Sequence, residues 1–247
     1  MADLALAVDI GGTKMAAGLV TLDGSLVERA MRPTRAASPS GVVADAETGQ
    51  GPGSRAEAAE ALWDDLARLV QDVTAAVRVG DRVLVAGVGC GGPMTPGGEE
   101  VSPLNIPAWR SFPLRSRLCE LIGLPVFVDN DAKALALGEG WVGAAAGQRD
   151  YIAMVVSTGV GGGIVLEGRL LSGRLGNAGH IGHVIVVPGG RRCQCGGRGC
   201  LEAEASGTAL AAITGQPARL APPAVVTHAR QTENALHNAP IKIGTCR

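Results

Sequence analysis

The stretch LALAVDIGGTKMAAGLVTLDG, residues 4–24, decides the fold. Leu4 to Ile10 is an apolar run of strand length, Gly11-Gly12 supplies a hairpin turn, and Lys14 to Thr21 reads as the returning strand. Asp23-Gly24 then turns the chain into a third strand at Ser25 to Met31, so a β-meander opens the molecule. Further on, Tyr151 to Ser157 and Gly163 to Glu167 form a second strand pair joined through Thr158 to Gly162.

Between the two meanders the pattern alternates. Pro33 to Ser54 is rich in Pro, Gly, Ser and Thr and reads as a surface connection. Leu62, Leu66, Leu69, Val73 and Val77 recur at helical spacing, the mark of an amphipathic helix on a sheet. Arg82 to Gly89 is a strand ending in Gly89-Cys90-Gly91-Gly92-Pro93. Phe112 to Ile122 predicts a helix, Pro125 to Val128 a buried strand, and Asp131 to Trp141 another helix. Two strand-turn-strand units heading two successive halves imply two α/β lobes facing a cleft. The expected boundaries are residues 1–127, a partial second lobe at 128–213, and an irregular tail at 214–247.

Composition narrows the function. With 247 residues and 46% hydrophobic content the chain can bury a core, and with 2% aromatics and 37 glycines that core is built from small side chains and close backbones. Lys plus Arg total 22 against 23 acids, so no broad positive field exists to hold nucleic acid or an anionic membrane. No apolar run approaches a membrane span and no basic-then-apolar leader is recognisable, which makes the cytoplasm the expected compartment.

Three constellations carry chemistry. The first is the pair of small-residue turns. Glycines at Asp9-Ile10-Gly11-Gly12-Thr13-Lys14 and at Ser157-Thr158-Gly159 let backbone N–H groups approach phosphate oxygens. Thr13 and Thr158 add hydroxyls, and Asp9 can hold Mg²⁺ through water. Either turn alone is a weak signal; two at the heads of two lobes match the way an actin-like ATPase grips a triphosphate.

The second is Asp129-Asn130-Asp131, where a strand meets a helix. Asp131 is the expected catalytic base toward a sugar hydroxyl and Asn130 a hydrogen-bond partner of a neighbouring one. The competing assignment is that Asp129 or Asp131 only caps the helix. The third is His183 with Cys193, Cys195 and Cys200, one imidazole and three thiolates with glycines between them, the donor set of structural zinc.

With those residues in hand the chain resembles the ROK family of bacterial sugar kinases and repressors. The resemblance rests on DIGGTK at 9–14, PLNIPAW at 103–109, NDAK at 130–133, STGVGGG at 157–163, NAGHIGH at 177–183 and CQCGGRGCLEAEASG at 193–207. It implies an α/β, actin-like (ribonuclease H-like) fold, a homo-oligomer, and ATP-dependent phosphorylation of a hexose or N-acetylhexosamine, usually at the 6-hydroxyl. Carried over, Asp131 is the base, and Asn105, Asn130, His180, His183 and Glu202 surround the sugar, with His183 serving zinc through its other ring nitrogen. Family repressors carry a helix-turn-helix module ahead of the phosphate motif; eight residues precede Asp9, so a kinase is expected.

The chain departs from the family pattern in three places. His180 stands where many family kinases have glutamate, as in N-acetylmannosamine kinases, while PLNIPAW is closer to glucokinases. Lys133 replaces a frequent asparagine and is expected to face solvent. After Ile213 the motifs stop, Pro217, Pro222, Pro223 and Pro240 oppose a long helix, and a truncation or frame change is expected, with loss of kinase activity in a sugar-binding remnant as one outcome. His228, His237 and Cys246 in that tail are not taken as ligands.

Overall fold

The computed structural model of the chain describes residues 1–34 and 55–216. The connection at 35–54 and most of the tail, with Pro217, His228, His237 and Cys246, lie outside the described residues. The chain divides into two compact units, Met1–Asp131 and Ala132 onward.

The first unit is a five-stranded sheet with its helices. β1 (Asp3–Ile10), β2 (Lys14–Thr21) and β3 (Leu26–Pro33) form the antiparallel meander. α1 (Arg55–Ala75) follows, then β4 (Arg82–Cys90), α2 (Leu114–Ile122) and β5 (Val126–Asn130). β4 pairs parallel with β1 and β5 parallel with β4, giving the order β3-β2-β1-β4-β5. The period-2 alternation of β1 turns Leu4, Leu6, Val8 and Ile10 inward, where they share one core with Leu62, Leu66, Leu69 and Val73 of α1. Because β1, β4 and β5 run parallel, their carboxyl ends share one edge of the sheet, the edge where open α/β sheets receive ligands.

Two helix boundaries differ from the sequence expectation. α2 starts at Leu114, because Phe112 bridges to Val101 and Pro113 restricts the residue before it. α1 ends at Ala75, so Val77 lies beyond the helix.

The second unit is built on α3 (Asp131–Trp141), which begins at the last residue of the first. It contains the antiparallel strands β6 (Tyr151–Val156), β7 (Val160–Leu166) and β8 (Arg169–Leu170), then α4 (Leu201–Ala205) and α5 (Gly207–Thr214). β7 starts at Val160, so Gly161 and Gly162, expected in the turn at 158–162, join Gly163 in the strand. Their service is close packing. A Cβ would stand 2.8 Å from Ala132 Cβ at Gly161, 2.2 Å from Ile181 at Gly162, and 2.5 Å from Ala136 Cβ at Gly163. Lys133, expected at the surface, is 1% exposed on the buried side of α3. Among the described residues no helix is long and apolar enough to cross a membrane.

Candidate active site

The carboxyl-end edge of the first sheet carries those of the phosphate- and sugar-facing candidates that belong to the first unit. Asp9 lies at the end of β1 in register with Gly89, which in turn faces Asp129 of β5; Ile10, Cys90 and Asn130 form the next row. The hairpin is closed by Gly11 N–H donating to Lys14 O at 3.0 Å. Thr34 locks it from behind, its hydroxyl donating to Gly11 O at 2.6 Å and its N–H to Thr13 O at 3.0 Å. Thr13 and Lys14 stay exposed at the tip.

Asn105 arrives beside this turn on the loop 103–109. A Cβ on Gly12 would come within 2.8 Å of Asn105 Cβ, so Gly12 leaves room for Asn105, while Gly91 lies in ordinary contact distance of its Oδ1. The loop is held by its apolar members. Ile106 and Trp109 are fully buried, Trp109 stacks on Phe112 at 4.4 Å, and its indole N–H donates to Ala59 O of α1 at 3.3 Å. Arg117 lies over Trp63 and Phe112 and clasps Glu60 with two bonds of 2.7 Å.

Asp131 opens α3 in its first turn and is exposed, while Asp129 accepts the Asn130 N–H at 2.7 Å. The electrostatics of the edge are concentrated on Asp9. Its carboxyl is accessible to solvent by surface area, yet protein atoms crowd it, and this desolvation is the leading cause of a raised pKa; the charge of Asp131 raises it further, against Lys14 and Arg29. Cys90, fully buried beneath them, is pushed far above the ordinary thiol range by burial, then by Asp131 and Asp9. It is an inert thiol at neutral pH.

In the second unit the turn between β6 and β7 is held from several sides. Val160 N–H donates to Glu202 Oε2 at 2.9 Å, Gly207 N–H to Ser157 O at 2.7 Å, and the Thr208 hydroxyl to Thr158 O at 2.7 Å. Buried Ser206 caps α5 by accepting the Ala209 N–H at 3.1 Å. Glu202, read from the sequence as a sugar-facing residue, therefore also fixes the Thr158–Gly159 turn.

His180 precedes and His183 ends a short 3₁₀ turn, their rings perpendicular with centroids 6.3 Å apart. The donor atoms of His183, Cys193, Cys195 and Cys200 all lie within 4.8 Å of one another. Cys193 Sγ is 3.7 Å from His183 Nδ1, and Cys195 Sγ is 3.7 Å from Cys200 Sγ. Burial leads in raising Cys193 and in pushing Cys200 up to about 12, whereas the Gly197 N–H leads in lowering Cys195.

Sequence reasoning missed Thr34, whose partners are fixed only by the meander. It also missed Ser206 and Thr208. Ser206 did carry a local signal, a hydroxyl residue immediately before a short apolar helix.

Fold and site define a mixed α/β protein that presents carboxylates and glycine-shaped turns at strand ends. The chain belongs to the ROK family: the family's pattern matches residues 5–245, running past Ile213, after which the recognisable motifs stop. It is 37% identical over 207 residues to a glucokinase of Thermotoga maritima, covering 83% of this chain and 58% of that protein. It is 39% identical to an N-acetylmannosamine kinase of Citrobacter koseri, over 84% of this chain and 63% of that one. The chain thus spans about three fifths of the length of these curated relatives. Among solved structures it is similar to a ROK hexokinase of Thermus thermophilus, with TM-score 0.70 and 32% identity over 98% of this chain and 82% of that one. A ROK glucokinase of Streptomyces griseus in complex with glucose and AMPPNP gives TM-score 0.68 and 31% identity over 96% of this chain and 72% of that one.

Proposed function

We propose that the chain carries the machinery of an ATP-dependent, glucokinase-like hexose kinase acting at the 6-hydroxyl, on an actin-like architecture. The observation that carries this is the gathering of Asp9, the Gly11–Gly12 turn, Asn105 and Asp131 at the carboxyl-end edge of one sheet.

Asp131 takes the proton of the sugar hydroxyl as its oxygen bonds to the γ-phosphorus; the bond from that phosphorus to the bridging oxygen breaks and ADP leaves with the electron pair. The turn offers Gly12, Thr13 and Lys14 to the phosphates, and Thr158 with Gly159 offers a second set of donors. Asp9 would hold Mg²⁺ through water, and that ion, when bound, spreads charge developing on the phosphate oxygens. Asn105, Asn130, His180, His183 and Glu202 are assigned to the sugar hydroxyls.

The Cys/His cluster fits zinc. Bonds of about 2.3 Å in a tetrahedron set neighbouring sulfurs about 3.8 Å apart, and the sulfurs of Cys195 and Cys200 are 3.7 Å apart. With His183 Nδ1 turned to Cys193, Nε2 is left to face a sugar hydroxyl.

A second substrate, N-acetylmannosamine, is favoured by His180 in place of the usual glutamate and by the 39% identical relative. An assay coupling ADP release to glucose and to N-acetylmannosamine, beside calorimetric titration of each sugar, tests both. Turnover is expected with at least one. Sugar binding without any ADP release would leave a sugar-binding protein and remove the kinase assignment.

A further inference from the structure

We infer that Lys133 is a positioning residue that tethers the loop carrying His180 to the buried face of α3. Burying a lysine is costly. The Lys133 side chain is 1% exposed, and a buried ammonium is tolerated only where protein groups are held around it. One of those groups is the carbonyl of Gly176, which accepts from Lys133 Nζ at 3.3 Å.

Gly176 belongs to a loop with little packing of its own. Residues 171–175 are exposed, and Leu175 is 58% accessible. The loop is pinned at its start by Leu171 N–H to Ile164 O at 2.8 Å. Near its end, Gly179 takes a φ of 92° and lies so close to β7 that a Cβ would come within 3.1 Å of Gly162 O. Lys133 fastens the span between these pins, four residues before His180. Gly163 makes this reach possible, since a Cβ there would meet the Lys133 Cα at 3.0 Å.

Small apolar side chains already serve the packing of α3 against β7, as Ala132 and Ala136 do. A lysine adds a donor long enough to grip a backbone carbonyl beyond the strand. It lies two residues after Asp131 on the same helix, so the tether orders the histidine loop on the element that begins with the assigned base. This role rests on the kinase assignment for its effect on catalysis; the tether itself does not.

The test compares Lys133→Met, which removes the donor, with Lys133→Gln, which keeps a neutral one. Hydrogen exchange of peptides covering 172–180 should accelerate about tenfold in the first and less in the second, with 151–166 unchanged. For whichever sugar the wild type phosphorylates, KM should rise about tenfold in Lys133→Met while kcat changes less than about threefold, and zinc content should stay the same. Unchanged loop exchange in Lys133→Met, or equal acceleration throughout β6 and β7, overturns the tether; if that variant does not fold, Lys133→Gln with wild-type exchange does so. A wild type that neither binds nor phosphorylates sugar, with loop exchange still responding to Lys133→Met, upholds the tether and removes the kinase assignment instead.

Discussion

Asp9 and Asp131, 122 positions apart in the chain, are close enough that the charge of one raises the proton affinity of the other, with burial of Asp9 as the larger cause. The meander brings Asp9 to the edge and the parallel β5 brings Asp131 there. Two acids with unlike surroundings at one edge are able to divide their roles, one toward metal and one toward a proton.

Asp131→Asn should lower ADP release by about 10²–10⁴-fold while leaving sugar binding and zinc content unchanged. Coupled kinetics, calorimetry and metal analysis on one sample check this. Activity near that of the wild type would remove Asp131 as the base.

Asp9→Asn should abolish turnover yet raise the melting temperature at pH 7. The sign follows from linkage: the folded pKa is raised, so the stabilising contribution is fully present below the unfolded value, about 3.9, and is lost as pH rises through the folded one. Above that window the ionised carboxylate costs stability and asparagine removes the cost. The gain should be a few degrees at most and should vanish below about pH 4. A melting point lowered at pH 7 contradicts the assignment of charge strain to this edge.

Gly12→Ala should displace Asn105, because its Cβ would stand 2.8 Å from Asn105 Cβ. The expected result is a KM for sugar raised by roughly tenfold or more, with a loss of about 1–3 kcal/mol of stability from the crowding. An unaltered KM would show that Asn105 does not meet the sugar.

Trp109→Ala removes a fully buried ring stacked on Phe112 and should cost about 3–5 kcal/mol of unfolding free energy. Trp109→Phe should recover most of the loss but not the indole bond to Ala59. Denaturant titration separates the two.

One zinc per chain is expected by metal analysis, and a strong chelator should lower the melting temperature and open the 183–200 loop to protease. Cys195→Ser should weaken retention of the metal. A pure, folded sample with no zinc would withdraw the assignment.

The local elements were legible in the residues. The meander, the α1 periodicity, α3 at Asp131–Trp141 and the Cys/His spacing all come from short-range rules: alternation, turn glycines, helical repeat and donor clustering. What only the tertiary structure decided is which partner each special residue meets. Glycine signals a missing Cβ whether a turn or a neighbour requires it, so Gly161 and Gly162 read as turn until Ala132 and Ile181 are set against them. Lys133 reads as surface because lysine is usually hydrated, and its burial follows from the packing of α3 on β7 and the approach of the Gly176 loop. Asn105 finds its place between Gly12 and Gly91 for the same reason: contacts between residues distant in sequence are settled by how the sheet and its loops close, which no local pattern encodes.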